Sequence, residues 1–233
     1  ETYDLSGTEL HAFFAYSQDF KGGVSVASGD FTGDGISDIV TAAGPGGGPH
    51  VEVFNGSTFL KVRSFFAFPS TFSGGVNVAV GDVNNDGTAD IICTPKAGGG
   101  PVVTVVSGSN GLTLLSEFVL SDHTFSGGLT VASGDVNGDG NADIIVATGA
   151  GTATSKIVTI SGADGSTLST FSPVNTTGGL NLATIDADND GQADIIVSPV
   201  TGGHNVTVYK GTTHASLDTF NVVNGVNMAV FQL

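Results

Sequence analysis

Three observations predict an all-β fold, a β-propeller of four-stranded antiparallel blades. A segment of about 50 residues recurs four times along the chain. Its apolar runs are short, rich in Val, Ile, Thr and Phe, and bounded by Gly, Asn and Asp, as strands separated by turns require. No stretch sustains a 3.6-residue apolar period over the length of a helix. A four-stranded sheet with two apolar faces cannot bury both alone, and radial stacking against neighbouring blades buries them.

The elements follow in a fixed order. Gly22-Gly23, Gly74-Gly75, Gly127-Gly128 and Gly178-Gly179 open repeats over 22–73, 74–126, 127–177 and 178–224 of a single domain, 1–233. Each first strand runs into an acidic loop starting at Asp30, Asp82, Asp135 or Asp186, at spacings of 52, 53 and 51 residues. Second strands begin with Ile39-Val40, Ile91-Ile92, Ile144-Ile145 and Ile195-Ile196. Gly-rich turns follow at 44–49, 98–101, 149–151 and 202–203. Third strands alternate, as in Val51-Glu52-Val53-Phe54, and the fourth strand of the first repeat holds Phe65-Phe66-Ala67-Phe68. Two pieces remain, 1–21 and 225–233, read as closing strands. Phe13-Phe14-Ala15-Tyr16 aligns with 65–68, and Val226 to Leu233 aligns with the first strand from Val24. The termini are therefore expected to form a fifth, incomplete blade in a monomer. A four-bladed ring, or completion by an oligomer, is the alternative.

Charge narrows the partners. The chain carries 22 acids against six Lys and Arg, a net charge of -16. Nucleic-acid binding needs the opposite sign, and no apolar run is long enough for a membrane-spanning helix. Thirteen of the acids sit in the four loops, so the acidity asks for a cation. The single cysteine, Cys93, excludes an internal disulfide and stands where the other repeats carry Thr41, Val146 and Val197. It is expected as a buried core thiol.

The loops read D-x-[DNT]-x-D-G-x-x-D. Side-chain oxygens come from Asp30, Thr32, Asp34 and Asp38; Asp82, Asn84, Asp86 and Asp90; Asp135, Asn137, Asp139 and Asp143; and Asp186, Asp188, Asp190 and Asp194. The carbonyls of Ile36, Thr88, Asn141 and Gln192 add a ligand at position 7. A hard cation such as Ca²⁺ takes about six to eight oxygens, and Gly at position 6 permits the sharp bend. Position 12 is Thr41, Cys93, Val146 or Val197, so these are not EF-hands, which need a bidentate acid there. About four Ca²⁺ ions are expected. The fourth loop, with Asp188 at position 3, is expected to bind tightest.

With these loops in place, the chain resembles FG-GAP (VCBS-type) repeat proteins, the calcium-binding propellers that include the integrin α-subunit head. The resemblance rests on the loops, the Phe-x-Gly-Gly starts at 20–23, 72–75 and 125–128, and the Gly-Pro-Gly-Gly-Gly-Pro turn at 44–49. It implies one Ca²⁺ per hairpin, a secreted or cell-surface location and an adhesion role. Integrin heads have seven blades, and this chain has material for fewer than five.

No G-x-S-x-G elbow and no H-x-x-x-H or H-E pair is present, so the chain is expected not to be an enzyme. Its first reading is a non-catalytic binding or scaffold module for a protein or glycan ligand. A lectin and a metal-dependent hydrolase using the propeller channel are the alternatives. Loops between strands one and two hold the metals at one end of the blades. The ligand is expected at the opposite end, which carries Gln18, Asp19, His50, Asp122, His123 and His204.

Overall fold

A computed structural model describes residues 2–3, 6–120, 122–151, 154–173, 178–201 and 205–221. The expected strand Val226 to Leu233 and residue His204 lie outside them. Among the described residues there is no helix, and so none long and apolar enough to cross a membrane.

Four four-stranded antiparallel sheets follow one another along the chain. The first is β3(Val24–Gly29), β4(Asp38–Ala43), β5(His50–Phe54) and β6(Lys61–Phe66). The second is β7(Val76–Gly81), β8(Asp90–Pro95), β9(Val102–Val106) and β10(Thr113–Phe118). The third is β11(Leu129–Gly134), β12(Asp143–Thr148), β13(Ile157–Ile160) and β14(Thr167–Phe171). The fourth is β15(Leu180–Ile185), β16(Asp194–Pro199), β17(Asn205–Tyr209) and β18(Ser216–Asn221). Each is an up-and-down meander in sequence order. Ahead of them, β1(Thr2–Tyr3) pairs antiparallel with β2(Glu9–His11). Phe13 to Tyr16, which align with 65–68 of the first blade, follow β2 and lie in no strand.

Burial identifies these sheets as propeller blades. The second strands β8 and β12 are buried at every residue, because their Ile and Val cover both faces of the sheet. The outermost strand β18 is exposed throughout. The first strands β3, β7, β11 and β15 line up side by side about the axis. Between blades lie three apolar cores. Val40, Ala42, Val51 and Val53 of the first blade meet Val76, Val78, Ile91 and Cys93 of the second. Ile92, Val103 and Val105 meet Ile144, Val146, Val158 and Ile160. Ile145, Ala147 and Ile157 meet Leu180, Ile195 and Val197. The second and third blades thus bury their two faces against different neighbours, whereas the first and fourth each have one face covered in this way.

Polar side chains on the first strands stitch the blades together near the axis. Asn77 Nδ2 donates to the Leu129 carbonyl at 2.8 Å, and the Thr130 hydroxyl to the Leu180 carbonyl at 2.7 Å. At the end of β7, a Cβ on Gly81 would stand 2.7 Å from the Ala142 methyl of the next blade, so only glycine fits. The acidic loops hang directly below this contact, which fixes their spacing around the ring.

Candidate metal centres

Each acidic loop joins the first two strands of its blade, and all four share one backbone path. The glycine at position 6 is left-handed in every loop, with φ of 80, 84, 88 and 85° at Gly35, Gly87, Gly140 and Gly191. Position 4 is left-handed too: Gly33, Asn85, Gly138 and Asn189 have φ of 73, 54, 79 and 57°. Sequence reasoning passed over that position, although its restriction to Gly and Asn is the signal such a conformation leaves.

The acid at position 1 anchors the bend. Asp30 accepts from the N–H groups of Gly33 and Gly35 at 2.7 and 2.9 Å. Asp82 accepts from Asp86 and Gly87 at 3.0 and 2.8 Å. Asp135 accepts from Gly138 and Gly140 at 2.6 and 2.8 Å, and Asp186 from Asp190 and Gly191 at 3.1 and 3.0 Å. The acid at position 5 accepts from the N–H at position 7: Asp34 from Ile36, Asp86 from Thr88, Asp139 from Asn141 and Asp190 from Gln192, all at 2.8 to 3.0 Å.

Position 9 has a second duty that the sequence did not reveal. Asp38, Asp90, Asp143 and Asp194 are buried at the start of the second strand. One oxygen of each accepts the N–H at position 2, from Phe31, Val83, Val136 or Ala187. In the first three blades the other oxygen accepts an N–H from the turn between the third and fourth strands, from Gly56, Gly108 or Gly162 at 2.8 to 3.0 Å. Each carboxylate oxygen has a second lone pair, so these bonds leave capacity for a metal.

The electrostatics split by depth. Burial pushes the buried carboxyls of Asp90 and Asp194 up, and Asp143 up to about 6. Backbone N–H donors hold the exposed Asp30, Asp86 and Asp139 below the usual carboxylate range. In the fourth loop, oxygens of Asp186, Asp188 and Asp194 lie within 4.8 Å of one another. Among the described residues, no Lys, Arg or His forms an ion pair with the acids of the first three loops. An all-oxygen, uncompensated donor set is what a hard divalent cation such as Ca²⁺ requires. Neighbouring loops are joined through their backbones: Ala142 N–H donates to the Asp82 carbonyl at 2.9 Å and Ala193 N–H to the Asp135 carbonyl at 2.7 Å.

At the opposite end, Gln18, Asp19, Asp122 and His123 are exposed. Lys21 Nζ donates to the Gln18 carbonyl at 2.9 Å, and Asp122 accepts from the Thr124 N–H and hydroxyl. His50 turns toward its own blade: Nε2 lies 2.7 Å from Ser64 Oγ, and the ring packs on Tyr16 and Phe66. Gly46 N–H to the Ser73 carbonyl and Gly98 N–H to the Ser126 carbonyl tie the first two Gly-rich turns to the loops entering the second and third blades. A cavity of about 920 Å³ opens at the axis, bounded by Phe14, Val26, Ala79, Ser133 and Thr184.

A model of the FG-GAP-like repeat matches residues 30–93 and 135–197, each match running from one acidic loop through the next. Integrin alpha pat-2 of Caenorhabditis elegans is 32% identical over 156 residues, covering 56% of this chain and 13% of that protein. Integrin alpha-8 of Gallus gallus is 38% identical over 72 residues, covering 30% of this chain and 7% of that protein. The chain therefore spans only a small part of these relatives. Among solved structures, the rhamnogalacturonan lyases YesW and YesX share the fold, with TM-scores of 0.56 and 0.58 at 16% and 13% identity. They are covered over 51% and 49% of their length, and 86% and 87% of this chain is covered.

Proposed function

The chain belongs to the FG-GAP-like repeat family, and from that premise we propose that it is a non-catalytic, calcium-stabilised binding or adhesion module, secreted or at a cell surface. The observation that carries the calcium reading is the fourfold recurrence of one loop geometry around carboxylates that three of the loops leave without a cation. Asp, Asn and Gly also make ordinary turns, but turns do not need three acids at fixed positions in four successive blades. The lyases share the architecture alone, and a fold does not carry its chemistry with it.

In this reading each loop holds one Ca²⁺ through positions 1, 3, 5, 7 and 9. The opposite end, with Gln18, Asp19, His50, Asp122, His123 and His204, takes a protein or glycan ligand. Integrin α subunits among the relatives support adhesion over catalysis. Extracellular modules bind Ca²⁺ with Kd of ~10⁻⁴–10⁻³ M, so at millimolar Ca²⁺ each site adds about 1 kcal/mol. Melting in excess EGTA is the test. A clear fall in Tm, with Asp82→Ala and Asp139→Ala each removing one ion in calorimetry, supports the reading; an unchanged melt overturns it. A glycan array then separates a lectin from a protein-binding module.

A further inference from the structure

The fourth loop differs from the others in holding a lysine. Lys210 follows β17 and stands in the register of Asn55, Ser107 and Ser161, each of which precedes the glycine of its turn. Its Nζ lies 3.0 Å from Asp188 Oδ2 and 2.5 Å from Asp190 Oδ2. The corresponding turns in the first two blades also reach their loops, but with neutral donors. Asn55 Nδ2 lies 3.3 Å from both Asp34 Oδ2 and Asp38 Oδ1, and Ser109 Oγ lies 3.0 Å from Asp86 Oδ2.

We propose that the Lys210 ammonium is an internal counter-cation of the fourth loop, competing there with the divalent ion and making this loop the last of the four to fill. The inference rests on the calcium reading of the loops. The ammonium bridges positions 3 and 5, the same two carboxylates a metal must draw together, and a metal at ~2.3–2.6 Å from both leaves no room for it between them. Lys210 must swing out, and even then it stays tethered to a turn beside the ion and repels it. The lysine also cancels the extra charge of Asp188, the feature that made the fourth loop look strongest in the sequence. Without metal the balance reverses: Lys210 neutralises acids that the first three loops leave to repel one another. The fourth blade is therefore the one built to keep its loop ordered when Ca²⁺ is absent.

The test replaces Lys210 with the residue of the first blade, Lys210→Asn, and in parallel with Lys210→Met. Both are compared with the unaltered chain by Ca²⁺ calorimetry and by melting in Ca²⁺ and in EGTA. The unaltered chain is expected to fill three sites first and the fourth at a Kd roughly tenfold higher. Lys210→Asn is expected to bring the fourth site into the range of the others. In EGTA both variants melt below the unaltered chain, whereas in saturating Ca²⁺ they melt level with it or above it. Calcium binding at four sites that neither variant alters, or an Asp188→Asn variant that removes the tightest site, overturns the role of Lys210 and leaves the calcium reading intact. No calcium binding by any chain overturns both.

Discussion

The backbone N–H of Gly108 donates to the Asp90 carboxylate at 3.0 Å, fastening the outer turn of the second blade to its acidic loop. The approach is close: a Cβ on Gly108 would stand 1.7 Å from the Ala89 carbonyl oxygen. Gly108→Ala is therefore expected to lift the turn and strip a buried carboxylate of a donor, at a cost of about 3 kcal/mol. Urea unfolding should register the loss in Ca²⁺ and in EGTA alike. A loss confined to Ca²⁺ would mean that Gly108 serves the metal and not the frame.

Cys93 is fully buried between the first two blades, and burial pushes its thiol up to about 12. A thiol held neutral and out of water does not react. Ellman's reagent should label Cys93 only after unfolding, and Cys93→Val, the residue of repeats three and four, should change stability by less than about 1.5 kcal/mol. Rapid labelling of the native chain would place the thiol at a surface.

The four-stranded repeats, their strand order and the acidic loops were legible in the sequence because the repeat displays them four times over. Single sites were less so. Position 9 reads as a ligand, and its burial under two backbone N–H groups shows only when the outer turn is folded back onto the loop. His214 lies in the turn between β17 and β18. It takes a left-handed φ of 56° and stacks on Phe171 of the preceding blade at 4.2 Å. Phe59, in the same register, stacks on His11 at 3.9 Å. The other two repeats place Gly111 and Gly165 there, so the alignment marks the conformation while the partner of the ring is set by tertiary contact alone. Lys210 was hidden in the same way, some twenty residues from the acids it meets.

Tyr16 carries the amino-terminal remnant onto the first blade. Its hydroxyl lies 3.0 Å from the Thr41 carbonyl oxygen and 2.9 Å from that of His50, and burial raises its pKa to about 12. Tyr16→Phe should cost about 1 kcal/mol at neutral pH. A phenol whose folded pKa is raised contributes stability that is complete below the unfolded value near ~10 and lost as pH climbs through the folded one. The gap between the two proteins should therefore narrow from about pH 10 towards 12. A gap independent of pH across that window would show that the hydroxyl is not shielded.

Among the described residues, the four blades leave one sector open. The pairs β3–β7, β7–β11 and β11–β15 lie side by side, whereas β15 and β3 have no comparable contact and face each other across the axial cavity. On the β3 side Val24 and Val26 are 45% and 67% exposed, while Val76 and Val78 in the same register of β7 are at 0% and 9%. The β15 side carries its own mark. Gly29, Gly81 and Gly134 end the other first strands because a side chain there would strike the next blade, at Ala89, Ala142 or Ala193. The fourth repeat has Ile185 at that place, so its neighbour across the gap brings no acidic loop. Val226-Asn-Met-Ala-Val230 matches Val76-Asn-Val-Ala-Val80 at four of five positions. The sequence expectation for this segment, a first strand of a fifth blade, therefore has a direct test. Deleting Val226 to Leu233 is expected to cost several kcal/mol, at about 1.5–3 kcal/mol per apolar side chain buried, and to promote self-association through the exposed edge. Val26→Asp adds an independent reading. It should cost more than about 1 kcal/mol where the strand covers β3, and under about 0.5 kcal/mol where Val26 stays in water. A truncated chain that remains monomeric at the same Tm, with Val26→Asp neutral, would leave the sector open and assign its closure to something other than this segment.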